Sequence, residues 1–262
     1  DRYLRDPIER LAFANGKMAF LSGPRQAGKT TVGRLLMDER SRFRYANWDD
    51  VELRRTWVKS PKSLVDFGAN RGGARPLLVL DEIHKARSWK QTLKGIYDTL
   101  ESPCDILVTG SARLDIYKRG GESLLGRQIG FRLHPFSLGE TERTVPLPPD
   151  QVLRQMFDPR RALAASPGLQ DTLSQLLTFG GFPEPFLKQS ERYARIWRRG
   201  RTEKLVREDL RDLTRIPDLS RIEMLTALLP ERAGHALSIQ SLREDLEVSF
   251  DACRASRIVR DH

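Results

Sequence analysis

The sequence predicts an α/β fold built on a parallel sheet, and three observations carry that prediction. Residues Gly23 to Thr30 read Gly-Pro-Arg-Gln-Ala-Gly-Lys-Thr, a complete G-x-x-x-x-G-K-T phosphate-binding loop. An apolar strand (Met18 to Leu21) precedes it and a helical segment (Thr31 to Glu39) follows it, the order that such a loop needs. Leu77-Leu78-Val79-Leu80 is a continuous apolar run that ends in Asp81-Glu82, the pattern of a strand buried on both faces. From residue 18 to residue 134, strand-like runs alternate with helical periods, as crossover connections between parallel strands require.

The elements follow in order. Phe43 to Trp48 reads as the second strand, and Asp49-Asp50 after it cap a helix beginning near Val51. Pro61 to Phe67 reads as a short helix, and Asn70 to Ala74 as a loop. Ser88 to Leu100 is a helix whose Trp89, Leu93, Ile96 and Leu100 recur at helical spacing and pack into the core. Ile106-Leu107-Val108 is a further buried strand, ending in Thr109-Gly110-Ser111. Gln128 to His134 alternates, with Ile129, Phe131 and Leu133 on one face, and Pro135 breaks it. Pro146, Pro148, Pro149 and Pro159 mark a loop-rich linker, and Leu173 to Phe179 is helical up to Gly180-Gly181-Phe182-Pro183. Arg192, Arg195, Arg199, Arg207, Arg211 and Arg215 then recur at helical spacing, as a solvated face or as a stripe along nucleic-acid phosphates. Arg221 to Leu229 and Ser238 to Leu246 read as two more helices, the second opening a helix-turn-helix with Ser249 as the next N-cap.

These residue types assign chemistry to positions. Gly23 and Gly28 let the backbone curl through Pro24, so that the N–H groups of Arg25, Gln26 and Ala27 face an anion. Lys29 reaches the β- and γ-phosphates, the Thr30 hydroxyl serves as a magnesium ligand, and Thr31 closes the loop. Asp81, at the carboxyl end of its strand, holds the magnesium directly or through water. Glu82 orients or deprotonates an attacking water. Thr109 and Ser111 either bond the γ-phosphate or that water, or satisfy a local turn.

Composition sets bounds. The 262 residues hold one large core and a smaller unit, with 39% hydrophobic and 31% charged residues as in soluble globular chains. No run approaches the ~18 apolar residues of a membrane span. The charged start, Asp1 to Arg10, shows no secretory segment, and a chain beginning without Met reads as trimmed. Cys104 and Cys253 alone make neither a disulfide framework nor a zinc cluster, so a reducing cytoplasm is expected. The net charge is +10, but 35 of the 45 basic residues are arginine, a skew that base composition can produce, so charge argues only weakly for nucleic acid.

The string Gly23 to Thr31, Leu78-Val79-Leu80-Asp81-Glu82, Thr109-Gly110-Ser111, Ser123-Leu-Leu-Gly-Arg127 and Phe131 to Ser137, with Gly180-Gly-Phe-Pro-Glu-Pro185, resembles a prokaryotic AAA-type ATPase family. Its members carry a C-terminal domain of unknown function with a nuclease-like fold. The resemblance implies a P-loop NTPase core with strand order 5-1-4-3-2, then a helical region and a partial winged-helix-like unit. It divides the chain into a core (1–140), a linker and helical region (141–232) and a partial helix-turn-helix segment (233–262), with the nuclease-like region absent. It also implies that Arg127 is an arginine finger acting on a neighbouring subunit's nucleotide, so that Glu82, Lys29, Thr109 and Arg127 form the catalytic set. Glu247 stands where the family usually has a glycine in the turn, and the tail after Phe250 matches poorly.

The expected ligands are ATP, ADP and Mg2+, since no Asn/Thr-Lys-x-Asp segment for guanine is present. The leading reading is an ATPase coupling hydrolysis to movement in a homo-oligomer or on a partner. The alternatives are a nucleotide-dependent switch with little turnover and a DNA-binding ATPase; no membrane partner is expected.

Overall fold

The computed structural model describes residues 2–68, 75–111, 124–142, 168–205 and 219–229, with isolated positions between 232 and 244. The chain divides into two compact units, Asp1–Gln189 and Ser190–His262.

The first unit is built on five strands: β1 (Met18–Ser22), β2 (Phe43–Asn47), β3 (Leu77–Asp81), β4 (Asp105–Gly110) and β5 (Gln128–Arg132). They lie in the order β2-β3-β4-β1-β5, and every neighbouring pair is parallel. This is the expected 5-1-4-3-2 order. Parallel strands need crossovers, and among the described residues three of them are helical: α2 (Lys29–Asp38), α3 (Val51–Lys59) and α4 (Trp89–Asp98). Helices on both faces explain why all residues of β1, β3 and β4 are buried, and hence why these strands read as unbroken apolar runs.

Side-chain alternation splits each central strand between two cores. Met18, Phe20, Leu78, Leu80, Ile106 and Val108 face Trp57, Trp89, Leu93 and Ile96. Trp48 also packs in this layer, edge-on to Trp57 at 6.4 Å, and Phe20 meets Trp89 at 5.8 Å. Ala19, Leu21, Leu77, Val79, Leu107 and Phe131 face the opposite layer, with Ile8, Phe13, Val32 and Leu36. The N-terminal part of that layer is α1 (Arg5–Pro7), which runs into a π-helical turn, Ile8–Ala12, and a 3-10 turn, Phe13–Asn15.

Local chemistry fixes the ends. Asp50 caps α3 by accepting from the Glu52 amide at 2.8 Å. The segment Pro61–Val65 is a 3-10 turn rather than an α-helix, with Pro61 at its first position. The helix after the loop starts at Lys29, two residues before the expected Thr31, because Gly28 takes left-handed backbone (φ 97°) and serves as its N-cap.

Beyond the sheet the first unit continues as α5 (Leu138–Thr141), α6 (Leu169–Phe179) and α7 (Pro183–Lys188). Helix α6 starts four residues before the expected Leu173 and ends as expected, at Gly180 with φ 82°. The Gly181 carbonyl accepts from the Phe136 amide at 2.6 Å, and a Cβ at Gly181 would strike the Phe136 carbonyl at 2.5 Å, so the turn needs glycine. The second unit holds α8 (Glu191–Lys204) and α9 (Leu219–Leu228). Arg192, Arg195 and Arg199 lie exposed on α8, whereas Arg207, Arg211 and Arg215 lie outside the described residues, as do the expected proline-rich linker, the Asn70–Ala74 loop and most of the helix-turn-helix segment.

Candidate functional site

The loop between β1 and α2 is wrapped by close contacts. A Cβ at Gly23 would strike the Leu133 carbonyl, so no larger residue fits there. Gln26 takes left-handed backbone (φ 64°), a strained choice for a side-chain-bearing residue and one that tightens the curl. Lys29 is buried at the first turn of α2, where its Nζ donates to the carbonyls of Gly23 and Pro24, each at 2.9 Å. The ammonium thus lies across the loop, where an anion would find both it and the helix N-terminus.

Parallel pairing delivers the acidic half. Asp81 closes β3 and pairs in register with Thr109 of β4 and Asn47 of β2. Its carboxylate accepts three hydroxyls: Thr30 Oγ1 at 3.2 Å and Tyr45 OH at 2.6 Å on Oδ2, and Thr109 Oγ1 on Oδ1. The structure therefore brings Thr109 to the carboxylate, while Ser111 is buried just beyond β4. Tyr45 had no signal of its own in the sequence, because its approach to Asp81 depends on the β2–β3 register. Burial first, then its bond to Asp81, pushes the Tyr45 phenol up to about 12.

Glu82 leaves β3 in left-handed backbone (φ 59°, ψ 19°), and its amide donates to the Thr109 carbonyl at 3.0 Å. Its Oε2 stands 3.7 Å from both His84 Nε2 and Lys85 Nζ. Burial raises the Glu82 pKa, the Lys85 and Lys29 charges pull it back, and Asp81 adds to the rise.

Between these walls lies a cleft of about 440 Å3, lined by Arg25, Gln26, Gly28, Lys29, Thr30 and Thr31 of the loop, Asp81 and Glu82 of β3, and Pro183 and Glu184 of α7. Among the described residues no group of three or more His, Cys, Asp or Glu side chains could hold a metal ion. The candidate divalent-cation donors are thus the hydroxyl of Thr30 and the carboxylate of Asp81, hard oxygens suited to magnesium that keeps water or ligand oxygens in its other positions.

Arg127 is elsewhere. Its carbonyl accepts from Met18 at the start of β1, so it sits at the amino edge of the sheet, opposite the loop. Its guanidinium grips Asp98 with two bonds, Nε to Oδ1 at 2.6 Å and Nη2 to Oδ2 at 3.1 Å. That hydrogen bonding lowers the Asp98 pKa and raises the Arg127 pKa.

Comparison with known proteins agrees with this geometry. Residues 15–142 match the model of a family described as an AAA domain, and residues 170–256 match a domain of unknown function. Together with the sheet order, the first match supports a P-loop ATPase-type, nucleotide-binding domain. The comparisons do not bear on the nuclease-like fold that the resemblance attaches to the C-terminal region. An uncharacterized protein of Mycobacterium tuberculosis is 26% identical over 253 residues, 95% of this chain and 49% of the relative. An uncharacterized protein of Methanocaldococcus jannaschii is 25% identical over 254 residues, 89% of this chain and 52% of the relative. The chain thus spans about half the length of the curated relatives it matches. A Walker-type ATPase of Pyrococcus abyssi aligns with 94% of the chain and 89% of its own length, at 15% identity and a TM-score of 0.47. No helix among the described residues is long and apolar enough to cross a membrane.

Proposed function

We propose that the chain binds ATP with magnesium and hydrolyses it, coupling nucleotide state to a conformational change in an oligomer or a partner. One observation carries this reading. The Thr30 hydroxyl and the Asp81 carboxylate meet at 3.2 Å beside the buried Lys29, and Glu82 lines the same cleft with a raised pKa. Thr30 and Asp81 would hold the magnesium, which when bound supplies positive charge to the phosphate oxygens. Lys29 neutralises the β- and γ-phosphates, and the loop N–H groups donate to the remaining phosphate oxygens. Glu82 takes the proton of the water that attacks the γ-phosphorus, and ADP departs as the P–O bond breaks. Its raised pKa makes it a better base than an ordinary glutamate, and Thr109 positions Asp81.

The test is Glu82→Gln. This variant is expected to bind ATP as the wild type does and to lose turnover by about 10²-fold or more. Undiminished turnover would remove Glu82 from the reaction.

A second reading, a nucleotide-gated switch with little turnover, draws on Arg127. Within its own chain this residue stands at the sheet edge opposite the loop and is held by Asp98. A finger that completes only a neighbour's site leaves the isolated chain slow. Turnover per chain that rises with protein concentration supports the ATPase; negligible turnover at every concentration, with tightly retained ADP, supports the switch.

A further inference from the structure

We propose that Arg2 is a positioning residue for the phosphate loop, holding the Ala27 carbonyl so that the next amide, that of Gly28, faces the bound phosphates. The inference rests on the ATP-binding reading above. Arg2 is only 6% exposed, which is unusual for an arginine and costly unless every donor is matched. Here four of its five N–H donors have named partners. Nη1 donates to the Ala27 carbonyl at 2.5 Å, and Nη2 to the His134 carbonyl at 2.8 Å. Nε donates to Glu140 Oε1 at 2.6 Å and Nη2 to Glu140 Oε2 at 3.3 Å, while the Phe136 ring lies 4.8 Å from the guanidinium carbon. Three separate pieces of the first unit, the loop, the chain leaving β5 and α5, thus converge on one side chain.

The consequence follows from peptide geometry. In a planar trans peptide the C=O and the following N–H point in opposite directions. A guanidinium on the Ala27 carbonyl therefore turns the Gly28 N–H to the far side, and Gly28 is a wall of the cleft. The contact is close: a Cβ at Gly28 would meet Arg2 Nη1 at 2.8 Å. Freed from this hold, the Ala27–Gly28 peptide could rotate and present a carbonyl dipole to the anion, the wrong sign for a phosphate cradle. A rigid planar fork is required because the acceptors lie in three directions; lysine offers a point charge and cannot hold all of them.

The experiment uses the 262-residue chain and measures ADP affinity by calorimetry and pyrophosphate affinity by competition, with thermal melts alongside. Arg2→Lys and Arg2→Met are compared with Lys29→Ala. A folded Arg2→Lys is expected to lose about tenfold in affinity for ADP and by the same factor for pyrophosphate, placing the loss at the phosphates. Unchanged ADP affinity in folded Arg2→Lys overturns the proposal, as does failure of both Arg2 variants to fold, which would make the residue a folding staple only. A wild-type chain that binds no ADP, or a Lys29→Ala variant that binds it equally well, sinks the ATP-binding reading instead.

Discussion

Glu82 departs from β3 at φ 59°, a backbone region that costs a side-chain-bearing residue roughly 1 kcal/mol or more. The return is a carboxylate beside the loop and an amide tied to Thr109, so the strain sits where the chemistry is proposed. Its raised pKa gives a pH prediction. A base must be unprotonated to act, so turnover should fall as pH drops through a pKa lying above the ordinary glutamate value. Lys85 is the strongest influence opposing that rise, so Lys85→Ala should move the acid limb of the kcat profile to still higher pH. An unmoved limb would show that Glu82 does not set it. At Tyr45 the expectation concerns the metal. Tyr45→Phe leaves Asp81 with the two threonine hydroxyls, and the magnesium concentration for half-maximal ATP binding should rise by about tenfold or more, as losses around metal ligands commonly do. Lys29, Thr30, Asp81 and Glu82 were legible because the chemistry of a phosphate loop and of a strand-end carboxylate is written in consecutive residues. Tyr45 and Arg2 were not, since their partners stand 36 and 25 residues away and only strand pairing and packing bring them together.

Among the elements, the strands with buried faces were the most readable, since β1, β3 and β4 are continuous apolar runs bounded by polar residues. Boundaries were less so. The start of α2 depends on Gly28 adopting left-handed backbone, and the Pro61–Val65 turn on a proline at its first position, neither of which periodicity encodes. Glycines now separate into two kinds. Gly95 lies inside α4, where an added Cβ would meet nothing within 4 Å. Gly95→Ala should therefore stabilise the first unit by about 0.5–1 kcal/mol, read as a higher midpoint in urea at an unchanged slope. Gly23→Ala should do the reverse, because its Cβ would meet the backbone carbonyl of Leu133.

For the molecule as a whole, the parallel architecture was readable from alternation, whereas the order 5-1-4-3-2 came from the family resemblance, because periodicity alone cannot say which strands are neighbours. The ion cluster at the amino edge of the sheet was not readable at all. There Asp105, at the start of β4, meets Arg40 at 3.2 Å and Arg75 at 3.8 Å, and Arg40 also holds Glu9 at 2.8 Å. Burial outweighs both arginines and pushes the Asp105 pKa from 3.8 to about 6. A carboxyl whose folded pKa exceeds its unfolded value favours the folded state at low pH, and that contribution fades as pH rises from about 4 through about 6. Asp105 alone should thus remove on the order of 3 kcal/mol of stability across that window, and Asp105→Asn should flatten this part of the stability–pH curve in urea titrations. An Asp105→Asn curve parallel to the wild type would contradict it.

The tryptophans are unevenly placed. Trp48, Trp57 and Trp89 share one layer of the sheet, and Trp197, the fourth, lies on α8 in the second unit. Intrinsic fluorescence is therefore a one-sided witness. An emission trace will register loosening around the three clustered indoles and stay dark to events beneath Ile8, Phe13, Val32 and Leu36. Replacing Trp197 by phenylalanine would leave a reporter confined to one half of one unit, and a mismatch between its trace and far-ultraviolet dichroism would date the melting of each side separately.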